Sequence, residues 1–121
     1  MSENILGTMI RNAIEGIADA ETRLRVWLSD PDNIHWIGKP GPGYTSVFPL
    51  SILRKRFVTK NGTEMSIQQG ASHYCDHDSV ELFYCPPHWI LNQYGDAPGP
   101  YSKVPISVVA QYIALLERDG K

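Results

Sequence analysis

The chain has 121 residues, 42% of them apolar and 20% charged, with a formal net charge of −2. That composition describes a single folded domain over residues 1–121 and excludes a disordered chain. The mildly acidic balance argues against a protein drawn onto nucleic acid by its phosphates, and no apolar run approaches the ~20 residues that span a bilayer.

The first element is a helix. Ile5, Met9, Ile10, Ala13, Ile14, Ile17, Leu24 and Leu28 recur at three- and four-residue steps, which predicts a long amphipathic helix stopped by Pro31. Ser2 or Asn4 stands where a cap belongs. Arg11, Glu15, Asp19 and Arg23 fall on the opposite face, and Asp19–Arg23 and Glu21–Arg25 have the spacing of favourable ion pairs. Gly16 borders the apolar stripe, where it would let another backbone approach. A helix this long offers more apolar surface than three strands cover. Either a second helix takes the remainder or the chain forms a homo-oligomer through this face.

From Ser29 to Tyr44 the sequence reads as loop, with Ile34, Trp36 and Ile37 dropping back onto the core. Gly41 and Gly43 do not make a phosphate loop, because Lys39 is followed by Pro40 and no helix is fed. Val47 to Leu53 gives a short strand broken at Pro49. Arg54-Lys55-Arg56 then reads as the guard of a solvated strand edge, with a local basic patch as the alternative.

Asn61-Gly62 carries the clearest turn signal in the chain. Asn-Gly tolerates positive φ at both centres of a type I′ turn, so Lys60 is expected to face Thr63 and Val58 to face Met65. That register sends Val58, Met65 and Ile67 to one face of the hairpin and Phe57 to the other. Val80 to Tyr84 alternates and predicts a third strand, which Pro86-Pro87 must end. Trp89 to Lys103 reads as a long loop of the kind that often binds. Pro105 fits a first helical position, and Ile106, Val109, Ile113 and Leu116 line the stripe of a closing helix that Gly120 stops. The fold class is therefore α+β: a small antiparallel sheet packed with a long N-terminal and a C-terminal helix.

Three constellations could carry chemistry. Cys75, His77, Cys85 and His88 place thiols and imidazoles close in sequence, and Cys85-Pro-Pro-His88 has a spacing that suits zinc. The glycine knuckle is missing, and packed, reduced, metal-free cysteines are the favoured reading. A Cys75–His88 nucleophile pair oriented by Asp76 or Asp78 rests on residue type alone, so neither enzymatic action nor a cofactor is expected. Third, Tyr74, Phe83, Tyr84, Trp89, Tyr94 and Tyr101 flank the third strand and its loop, with Arg54 to Arg56 and Lys103 at hand. Aromatic faces stack on bases and cations hold phosphates, so a small nucleotide is a candidate ligand beside the plainer reading of an aromatic core. The expected binding surface comprises Asp76, Asp78, Trp89, Asn92, Tyr94, Tyr101 and Lys103. Two cysteines and no recognisable export signal point to a reducing cytoplasm.

Three motifs stand out in the second half of the chain: Ser66-Ile67-Gln68 through His73-Tyr74-Cys75, Val80-Glu81-Leu82, and Tyr101-Ser102-Lys103-Val104-Pro105 leading into Ile106 to Val109. On these residues it resembles small accessory proteins of tailed bacteriophages. Asp76-His77-Asp78 stands where that group tends to show Ser-Pro-Arg, which removes a candidate anion-binding arginine. The resemblance implies a binder acting in the host cytoplasm that blocks a host defence protein. Sequestering a small nucleotide messenger, or serving as a zinc-stapled interaction module, are the alternatives.

Overall fold

The computed structural model describes residues 2–119. A long helix α1 (Ser2–Ser29) is followed by a two-stranded antiparallel sheet of β1 (Ile34–Gly38) and β2 (Ser51–Arg54). A four-stranded antiparallel sheet then takes β3 (Phe57–Val58), β4 (Glu64–Gln68), β5 (Ser79–Phe83) and β6 (Tyr101–Pro105) in simple chain order, and α2 (Ile106–Asp119) closes the domain. The α+β class is as the periodicities predict. The cap expected at Ser2 or Asn4 and the stop at Gly120 lie outside the described side chains and residues.

One core joins the two helices to the inner face of the larger sheet. Ala20, Leu24 and Leu28 of α1 and Val109, Tyr112 and Ile113 of α2 meet Met65, Ile67, Val80, Leu82 and Val104. Fully burying each such aliphatic side chain contributes about 1.5–3 kcal/mol. Arg23 forks onto Glu117 at 2.9 and 2.6 Å, a partly buried pair that ties the helices together. Asp19 bonds both Arg23 and Lys60, and these two cations hold its carboxyl below the usual range. Solvent alone therefore does not account for that helix charge. The Glu21–Arg25 pair also forms, at 3.0 Å.

The hairpin differs from its expected register by one residue. Phe57 pairs with Met65 and Val58 with Glu64. Among the described non-glycine residues only Tyr84 and Lys103 have positive φ, so Asn61 does not adopt the type I′ conformation. Instead Thr59 and Thr63 close a three-residue loop, with Gly62 at φ 87 and its N–H donating to the Thr59 carbonyl at 3.0 Å. The Asn61 amide is used elsewhere, donating to the Leu116 carbonyl near the end of α2 at 3.0 Å. A one-residue slip exchanges the two faces of a strand. Phe57 thus enters the core, edge-on to Trp27 at 5.4 Å, and Val58 is left 53% exposed.

Two strands occupy stretches that the sequence reads as loop. β1 lies within 29–44, where Trp36 and Ile37 are both more than half exposed and do not return to the core. β6 begins within the predicted 89–103 loop and continues through Pro105, so Ile106, not Pro105, begins the helix. Arg54 corrects a further expectation. It is buried, capping α1, while Lys55 and Arg56 remain exposed. Beside it Gln68 works as an extra rung between the sheets, accepting from the Arg54 backbone N–H at 2.8 Å and donating to its carbonyl at 3.0 Å.

Candidate binding surface

The loop after β5 is built on a short 3-10 turn at Trp89–Leu91. His88 caps it, its Nδ1 accepting from the Ile90 N–H at 3.2 Å, and Leu91 anchors it in the core. Successive backbone bonds from Leu91, Asn92 and Tyr94 back to His88, Trp89 and Leu91 hold the turn closed. Tyr94 in turn accepts from the Ser102 N–H of β6 at 3.0 Å. Gly95 lets the returning strand pass, since a Cβ there would sit 2.4 Å from the Pro100 carbonyl oxygen.

The consequence is an indole fixed at its base and open at its tip. Trp89 is 74% exposed, and with Asn92, Gln93, Tyr94 and Val108 of α2 it borders a cleft of about 310 Å³. That volume lies at the small end of ligand sites. Among the described residues no cation borders the cleft. Gln93 and Val108 escape the sequence reading. Gln93 carries only the signal of lying between Asn92 and Tyr94, and Val108 becomes a neighbour only through the packing of α2.

The remaining predicted residues divide. Asp76 and Asp78 form a second feature, on the other flank of the first turn of α2. The Asp76 Oδ1 accepts from the Asp78 N–H and from the Ser79 hydroxyl, both at 2.9 Å, and the Asp78 carbonyl accepts from the Ile106 N–H at 2.9 Å. These contacts start both β5 and α2. They hold the Asp76 carboxyl below its ordinary range, with the Lys103 ammonium a smaller contributor. Lys103 is exposed, at φ 50 on the irregular edge of β6, and its N–H donates to the Tyr74 carbonyl at 2.8 Å. Tyr101 is only 2% exposed and belongs to the core, because its pairing with Leu82 turns it inward. It leaves the surface.

The Asp76 carboxylate gives one test. A depressed folded-state pKa adds stability above the unfolded value, and that part is lost as pH falls through the carboxylate range below about 4. An Asp76→Asn variant keeps an acceptor oxygen but has no proton to gain. Its thermal transition should fall less than that of the parent between neutral pH and the acid limb, and parallel curves would contradict this.

The zinc and thiol sets do not assemble. Among the described residues no three His, Cys, Asp or Glu side chains converge to hold a metal ion. His77 lies against Phe48, and His88 is occupied by its cap and packs near Tyr112. Both ring nitrogens of His73 are engaged, Nδ1 with Glu81 and Nε2 with the Ile52 carbonyl, each at 2.9 Å. Cys75 and Cys85 are free thiols whose pKa values burial pushes up. Since the thiolate is the nucleophile, both should alkylate far more slowly in the folded protein at neutral pH than in denaturant. Rapid labelling of native Cys75 with iodoacetamide would contradict that.

A third cluster sits on the outer side of the sheet. The Arg56 guanidinium lies 4.9 Å over the Tyr84 ring, and Phe83 packs on the same ring at 4.2 Å. Tyr84 itself is at φ 55, an uncommon conformation for a bulky residue, and stays 56% exposed. No family model, curated protein or solved structure matches the chain. Among the described residues no helix is long and apolar enough to cross a membrane.

Proposed function

We propose that this protein is a non-enzymatic binder of the phage accessory type, acting in the host cytoplasm by engaging and blocking a host immune protein through the Trp89 cleft. The observation that carries the reading is the Trp89 side chain itself. A large indole, 74% exposed, stands on a turn held by three backbone bonds and the His88 cap. Such a side chain presents wide contact area at little entropic cost, the character of a binding anchor. The uncharged lining of the cleft favours a protein surface over a phosphorylated ligand. The two engaged nitrogens of His73, the engaged Nδ1 of His88, and thiols whose pKa burial raises favour a binder over an enzyme. The immune target follows from the resemblance of the C-terminal half to phage accessory proteins.

A second reading has its own observation. Arg56 stacked on the exposed, left-handed Tyr84 offers an aromatic face and a cation side by side, which suits a sequestered nucleotide messenger. One experiment separates the two. The protein is expressed in bacterial strains that each carry one immune system, and phage plating is compared for the parent, Trp89→Ala and Tyr84→Ala chains. Native mass spectrometry of the same purified proteins reads any retained small molecule. Loss of protection from immunity with Trp89→Ala, and no bound nucleotide, is the result expected. Loss only with Tyr84→Ala, together with a retained nucleotide mass, would transfer the function to the second cluster.

A further inference from the structure

From the N-terminal half of α1 we infer a second function of the fold: an antiparallel, two-fold dimer made by a second copy of this chain. The face of α1 that carries Ala20, Leu24 and Leu28 into the core continues toward the N-terminus, where it is left uncovered. Ile5, Leu6, Met9, Ile10 and Ile14 are each 53–62% exposed. Next to them, Ala13 and Gly16 of α1 and Ala114 of α2 border an open groove of about 450 Å³. Among the described residues, its own helical turn aside, nothing lies within 4 Å of the place a Gly16 Cβ would occupy, so the approach that Gly16 permits is not used within one copy.

Large and small residues are segregated along this one helix, and that segregation selects the partner. Along the stripe Leu6, Met9, Ala13 and Gly16 the two bulky side chains come first and the notch of two small residues follows, while Ile14 stands beside this stripe. Laid antiparallel, a second α1 puts Leu6 of each copy over Gly16 of the other and Met9 over Ala13. A closed two-fold interface requires such self-complementarity. The size is sufficient. At roughly 100 Å² for each of the five side chains, as the usual burial coefficient implies, the pair removes about 1,000 Å² from water, the lower bound of a specific interface. A membrane surface is a poorer occupant, because the polar face sets Arg11 against Glu15 and Asp19, and interfacial helices are rich in Lys and Arg there. The inference is independent of the Trp89 cleft.

The test is sedimentation equilibrium of the full chain. The parent should be a dimer. Leu6→Glu and Gly16→Lys should each weaken association by about a hundredfold or more, with the thermal transition of the monomer kept, since Leu6 is exposed in one copy and a side chain added at Gly16 meets no packed neighbour there. Mixing the two variant chains should restore a heterodimer, because the introduced charges face each other at one end of the interface while the other end retains its parental residues. A monomeric parent, dimers that survive both substitutions, or a mixture that fails to associate would each overturn the proposal. So would parent chain that remains monomeric and co-sediments with phosphatidylglycerol vesicles.

Discussion

Replacing Arg54 with alanine should destabilise the fold by about 3–5 kcal/mol, the largest single loss expected outside the apolar core. Arg54 is 8% exposed on β2, and among the described residues no carboxylate pairs with it. Its Nη1 donates to the Gln69 carbonyl at 2.6 Å and its Nη2 to the Leu28 carbonyl at 3.0 Å. The Leu28 carbonyl belongs to the last turn of α1, which carries no basic residue of its own. Arg54 thus supplies from another element the cation that a helix C-terminus favours. Truncation leaves the buried Leu28 carbonyl and the partly buried Gln69 carbonyl without this donor, at about 1–3 kcal/mol for the first and less for the second, and vacates the space of the long stem. One opposing term is present. The Nε is buried with no partner, and burial lowers the pKa of the guanidinium, so removing the charge returns part of the loss. The exposed neighbour Lys55 provides the comparison, since Lys55→Ala should stay within about 0.5 kcal/mol of the parent. Urea denaturation of both variants measures the difference. A gap below about 1 kcal/mol would mean that Arg54 is not the cap described.

Arg54 also shows where sequence reading loses its grip. A run of Arg-Lys-Arg beside a strand looks like an edge guard, and only the packing of β2 against the end of α1 reveals that the first of the three turns inward. The helices were legible because their apolar residues repeat with the helical period over many turns. β6 was not, since a register irregularity separates Tyr101 and Val104 by three positions while both are buried, which erases the alternation of a strand. β1 was hidden for a related reason. In a two-stranded sheet with Trp36 and Ile37 both exposed, there is no buried face to impose a period. The hairpin is legible at Asn61-Gly62, but its turn is a three-residue loop in place of the type I′ turn, and the Asn61 amide is spent on Leu116, a contact between residues far apart in sequence.

The candidate surface divides along the same line. Trp89, Asn92 and Tyr94 come together because one short turn carries all three, so chain proximity predicts spatial proximity. Tyr101 joined them in the sequence reading only because β6 was unseen. Asp76 and Asp78 were legible as a polar turn, but their hydrogen bonds are consumed in starting β5 and α2, a role that residue type cannot reveal.

The second large effect concerns the central claim. Trp89 is 74% exposed, so its removal should leave the thermal transition nearly unchanged. If it is the anchor of an interface, the same removal should weaken partner binding by about 2–4 kcal/mol, or roughly 30- to 1,000-fold. Asn92, also exposed on the rim of the cleft, should add a smaller loss, and Glu15 on the solvent face of α1 should add none. The decisive measurement is the plating efficiency of phage on an immune strain that the parent protein renders permissive, with Trp89→Ala plus Asn92→Ala set beside Glu15→Ala at matched expression. The account predicts restored immunity with the cleft pair and parental permissiveness with Glu15→Ala. Parental permissiveness with the folded cleft pair would contradict it.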